Sequence, residues 1–151
     1  MLMAKESVDS LAAWMASSAS HCAAALESQR DAICELVSDQ IRFRYPTLCY
    51  DPTRLDPVEF QQTMFRETPQ RIHDLMQVVL GLQSLGSVTE EYRWSWGLLP
   101  RYGITRDHLL SFMHMYFAAV MEKVELSNSD RIGLGLLEQA IIERIEMITA
   151  K

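Results

Sequence analysis

The chain has 151 residues, a length that fits one domain, and its 48% hydrophobic and 23% charged content excludes a disordered, collagen-like or low-complexity protein. A formal net charge of −6, from 20 acidic and 14 basic residues, argues against a nucleic-acid partner and against an anionic membrane surface, since both need a basic footprint. Three cysteines, Cys22, Cys34 and Cys49, show no CxxC spacing, which argues against a disulfide framework or a structural zinc site and points to reduced thiols in a cytoplasm.

The first segment carries Lys5 as its only early base. Glu6 and Asp9 interrupt its apolar run, and His21 precedes Cys22 where a lipoprotein box wants small residues. It reads as an amphipathic helix from about Ser7 to about Leu26 rather than a targeting segment. Trp14 and Met15 on it offer an apolar strip suited to a homodimer, the commonest soluble assembly. A second helix covers about Ser28 to Arg44, with Ile33, Leu36, Val37 and Ile41 at helical spacing. Pro46 ends it, because the residue before a proline avoids the helical region.

After a loop, Asp56-Pro57-Val58-Glu59 has the start signature of a helix: a capping side chain, a proline at the first position and a carboxylate that reaches back. Thr68-Pro69 repeats the device and predicts a new helix from about Gln70, with Ile72, Leu75, Met76, Val79 and Leu80 on one face and Gly86 as its stop. Thr89 opens an aromatic-rich helix that ends near Pro100 and Gly103. Thr105 caps a long helix through about Val124, and Ser127 or Ser129 caps the last. About seven helices joined by short loops, with no β pattern, predict a single all-α domain, globin-like or an irregular bundle.

The segments AAALESQRDAICELVSDQIRFRYPTL and RIHDLMQVVLGLQSLGSVTEEYRWSWGLLPRYGI resemble the paired early helices, and the chromophore helix with its successor, of the phycobiliproteins. That family carries a Cys-x-Arg-Asp pattern, an apolar run and an Asp-Glu-Tyr, and the resemblance covers residues 20 to 125. It implies a globin-like fold of phycobiliprotein type. By position it implies that Asp74 falls on the Asp that hydrogen-bonds pyrrole N–H groups, His73 on an Arg that meets a propionate, and Arg71 on the chromophore-bearing Cys. Tyr92 matches the family's Tyr. No cysteine of this chain lies at the attachment position, so any linear tetrapyrrole (bilin) would be held non-covalently. Set against that family, the N-terminal extension that joins antenna subunits is expected to be missing or shortened.

The chemistry agrees with such a ligand. A carboxylate at Asp74 neutralises a protonated bilin, and Arg71 or Arg66 supplies a guanidinium for a propionate. Gln77 is counted with this set, as are the flat rings of Tyr92, Trp94, Trp96 and Tyr102, which suit a flat conjugated ligand. Each feature also has a plain structural account: Arg71 and Asp74 as a solvated i,i+3 pair, the tryptophans as core. Trp94 and Trp96, two residues apart on a helix, point to different sides.

Heme by the usual route is disfavoured, because residues 87 to 104 hold no His and Leu99 falls near the ligand position. His73 remains as a non-standard iron ligand, while His108 and His114 read as surface or core histidines. No enzyme motif is present. The expectation is therefore a cytoplasmic bilin-binding globin, a carrier or a helper to enzymes of bilin synthesis. The alternatives are a heme-free dimeric sensor or regulatory globin with an apolar, fatty-acid-type pocket, and a heme-binding globin using His73.

Overall fold

Six α-helices and one 3₁₀ turn make up the regular structure among the described residues of the computed structural model, which covers the backbone of residues 2–150 and the side chains of 8–150. They are α1 (Leu2–Ser28), α2 (Arg30–Arg44), α3 (Pro57–Leu82), α4 (Gly86–Ser95), the 3₁₀ turn Leu99–Tyr102, α5 (Arg106–Lys123) and α6 (Asn128–Thr149). None is long and apolar enough to cross a membrane.

Three of the start signals, at Asp56, Thr105 and Ser127, cap their helices, although the Glu59 side chain does not return a bond to the Asp56 N–H. Asp56 accepts from the Glu59 N–H at 3.1 Å, with Pro57 in the first turn, where its missing N–H is no loss. Thr105 accepts from the His108 N–H at 3.3 Å while His108 Nδ1 accepts from the Thr105 N–H at 2.9 Å, a reciprocal box with histidine in the place usually held by Glu or Gln. Of the two serines, Ser127 caps α6, accepting from the Asp130 N–H at 3.1 Å.

Five boundaries differ from expectation. The first helix starts at Leu2 rather than about Ser7, and a single residue, Gln29, separates it from α2. Thr68-Pro69 does not begin a helix; α3 runs through it. Pro69 cannot donate to the Phe65 carbonyl, but its buried ring adds apolar contact, and the continuous face of α3 outweighs one lost bond. Gly86 is not the stop. The helix ends at Gln83, in the left-handed region (φ 50), where the Ser84 N–H closes onto the Val79 carbonyl at 3.2 Å; Gly86 instead starts α4, upstream of Thr89. The aromatic segment then breaks at Ser95 into the 3₁₀ turn, which Gly103 terminates at φ 79.

One core collects the inward faces. α2 lies against α3 and α5, α5 against α6, α1 against α3 and α6, and α4 against α6. Leu26, Ile33, Ile41, Met76, Leu80, Met113, Phe117, Leu137 and Ile141 are fully enclosed within it. Trp14 and Met15 also belong to this core, so the strip expected to support a homodimer is internal. The loop between α2 and α3 is tied down by buried Gln61, whose amide donates to the carbonyls of Pro46 (2.8 Å) and Leu48 (2.9 Å).

Candidate functional site

Where α3, α4, the 3₁₀ turn and α5 meet, their apolar faces leave a cavity of about 100 Å³. Met64, Ile72 and Leu75 of α3, Leu99, Ile104, and Leu109 and Phe112 of α5 form its walls, and Tyr92, Ser95 and Thr68 bring the polar atoms. Ser95 turns its hydroxyl back onto the Glu91 carbonyl at 2.7 Å, so it is not free to meet a ligand. Burial pushes the Tyr92 hydroxyl well above its ordinary range, and it stays neutral.

Charge enters at the rim. Arg71 of α3 donates to Glu91 of α4 at 3.2 Å, the Arg71 side chain largely in water and Glu91 half-buried. Such a pair is worth little, about 0–1 kcal/mol, so it is easily opened. Arg71, Leu75 and Glu91 also line an outer groove of about 470 Å³ that continues past Asp74, Val78, Ser87 and Glu90. Groove and cavity are thus neighbours across a shared edge.

The nine residues singled out in the sequence fall into separate places. Arg71 and Tyr92 line the cavity, and Arg71 and Asp74 line the groove. Asp74 is exposed (62%) and ion-paired with Arg30 at 2.5 Å; the Arg30 guanidinium also holds Glu27 at 2.9 Å. Arg66 lies in another groove, between α2 and α3. Trp94 stands in solvent, and Trp96 is half-buried in a furrow beside Arg144 and Met147. Tyr102 packs on Phe60, with the Arg54 guanidinium 5.3 Å from its ring centroid.

His73 and Gln77 point to α1 instead. Gln77 donates to the Ala23 carbonyl at 3.0 Å. His73 is fully enclosed, with Nε2 3.2 Å from Glu27 Oε1 and Nδ1 2.9 Å from the Tyr116 hydroxyl. Burial lowers its pKa, outweighing the Glu27 carboxylate that raises it. The ring is therefore neutral, and because a carboxylate only accepts, Nε2 carries the proton. Nδ1 then accepts from Tyr116. Glu27 in turn is held below its usual range, first by Arg30 and then by His73.

This arrangement does not fit a heme iron. Both nitrogens of His73 are engaged, and the ring is not in the cavity wall. His108 gives Nδ1 to the α5 cap, and His114 pairs with Glu138 at 2.8 Å on the surface. Leu99, placed near the ligand position by the turn alignment, does line the cavity. The wall residues of α5 and Ile104 were not singled out in the sequence; nothing distinguishes them there from ordinary core positions.

Compared with known proteins, the chain matches no family model, no curated protein and no solved structure.

Proposed function

We propose that this is a heme-free, globin-like binding module whose cavity takes the apolar tail of a small carboxylate of fatty-acid type, with Arg71 receiving the head group. The observation that carries the reading is an apolar cavity whose rim holds one guanidinium in a weak, exposed pair with Glu91. The order of helix contacts supports the globin-like part: α2 against both α3 and α5, and α1 and α5 against α6. The size supports the ligand class. A cavity of about 150 Å³ in another protein is known to take benzene, so one of about 100 Å³ suits the end of an alkyl chain rather than a tetrapyrrole. Each methylene buried adds about 0.8 kcal/mol. The carboxylate then takes the place of Glu91 on Arg71, a bidentate partner for it.

The test is titration of the full chain with octanoate and decanoate by calorimetry, repeated with Leu99→Phe, which fills the cavity, and Arg71→Ala. Binding that tightens with chain length, vanishes in Leu99→Phe and weakens about tenfold in Arg71→Ala supports the reading. Equal binding by all three proteins overturns it.

A second reading is favoured by one observation: Arg71 and Asp74, the two groups a linear tetrapyrrole would use, line the same open groove. There a bilin lies on the surface, Arg71 meets a propionate, and Asp74 leaves Arg30 for the pyrrole N–H groups. Added biliverdin should then give a shifted red absorbance, come off in acid-urea and bind about tenfold or more weakly to Asp74→Asn, the loss of one charge-assisted hydrogen bond. An unchanged spectrum and affinity in Asp74→Asn rule this reading out.

A further inference from the structure

Away from the cavity, α1 brings the consecutive residues His21 and Cys22 against Asp130 in the first turn of α6. One ligand-type atom from each, an imidazole nitrogen, a sulfur and a carboxylate oxygen, lies within 4.8 Å of both others. Asp130 Oδ2 is 2.9 Å from His21 Nε2. Its Oδ1 accepts the Trp14 indole N–H at 3.0 Å. The indole lies directly on Gly133, where a single added Cβ would sit 2.2 Å from the ring. The carboxylate is thus anchored by one oxygen and offers the other. Cys22 and Asp130 are buried, while the His21 side chain is 61% exposed, so the three donors form a wall with one side open to water.

We propose that His21, Cys22 and Asp130 form a divalent-metal site of zinc type that clips α1 to α6. An imidazole, a thiolate and a carboxylate suit a borderline-soft ion, and three protein ligands leave the fourth tetrahedral position for water. Bond lengths of about 2.0–2.3 Å place tetrahedral ligand atoms about 3.5 Å apart. The exposed His21 ring has to draw back from the carboxylate by about half an ångström, and the Cys22 sulfur to close in by about an ångström. On binding, the Cys22 S–H bond breaks, a sulfur–metal bond forms and that proton leaves to solvent; the proton that His21 Nε2 gives to Asp130 moves through solvent to Nδ1, which frees the Nε2 lone pair for the metal, and no electron is transferred. The Trp14 N–H acts as the outer partner that orients the carboxylate. The site is independent of the cavity and of what fills it.

Cobalt(II) titration of the full chain, with zinc as competitor, tests this. One equivalent should give a thiolate-to-cobalt charge-transfer band and the intense visible bands of a tetrahedral ion, both bleached by zinc. Cys22→Ser should abolish the charge-transfer band, while Cys34→Ser and Cys49→Ser keep it. His21→Gln, a surface change that spares the core, should weaken zinc about tenfold or more, since even loss of an outer partner costs that much. Zinc should raise the melting temperature of the unaltered protein and not that of Cys22→Ser. Absence of a cobalt band, a band that survives Cys22→Ser, or unchanged zinc affinity in His21→Gln overturns the proposal. If Cys22→Ser fails to fold, the His21→Gln affinity decides alone.

Discussion

At the scale of single residues, the enclosed His73–Tyr116 pair is where a small change has the largest defined effect. Tyr116→Phe keeps the ring and removes only the hydroxyl that donates to Nδ1. An acceptor is then left buried without a partner, at a cost of about 1–3 kcal/mol by chemical denaturation. The pair also sets a pH dependence. A His whose folded pKa lies below its ordinary 6.5 binds fewer protons than in the unfolded chain, so folding stability is full above pH 6.5 and is lost as pH falls from there through the folded pKa. His108, whose pKa burial also lowers, adds to the same window. Denaturation between pH 8 and 5 should therefore show stability falling below about pH 6.5, with a shallower slope in His73→Gln, which keeps a donor and an acceptor without titrating. A slope untouched by the substitution assigns the effect to His108. Gly133→Ala should cost about 1–3 kcal/mol, because the Trp14 ring has nowhere to go. The sequence alone does not mark this position, since Gly81 and Gly135 also lie inside helices and have open space where a Cβ would go.

Among elements, apolar periodicity placed the faces well and the boundaries less well. Ile33, Val37 and Ile41, then Ile72, Met76, Val79 and Leu80, are buried as their spacing requires. The Thr68-Pro69 error has a physical source. Thr-Pro is as compatible with an N-terminus as with a helix already under way, and only the packing of both halves of α3 on one core decides between them. The end at Gln83 carries no glycine to announce it. The candidate site was half legible for a related reason. Neighbours on a helix point about 100° apart, and the rotation of α3 turns His73 to α1 and α5 while it leaves Asp74 in water. Which of them faces in follows from the rotation of α3 against its neighbours, which no motif encodes. The α5 cap gives a clear test at this scale. Thr105→Ala should cost about 1 kcal/mol, read from the denaturation midpoint, since the His108 N–H loses the hydroxyl that accepts it, while the bond from the residue-105 N–H to His108 Nδ1 is kept. No loss would mean that water replaces the hydroxyl at this exposed end.

For the molecule as a whole, 20 acids against 14 bases and an isoelectric pH of about 5.2 set the colloidal behaviour. Solubility should be lowest near pH 5, where self-repulsion vanishes and His73 already weakens the fold; turbidity against pH checks this. A minimum well away from that pH would show that patches rather than net charge govern association. The connections of the bundle carry a different consequence. Gln29 alone joins α1 to α2, whereas residues 45–56 separate α2 from α3. One residue inserted at Gln29 would turn α2 by about 100° relative to α1 and swing Ile33, Val37 and Ile41 off the core. The same insertion in the longer segment is absorbed, since doubling a flexible loop costs only about 0.6 kcal/mol. The two helices are locked in phase, so across the junction at Gln29 the chain accepts changes of residue type far more readily than changes of length.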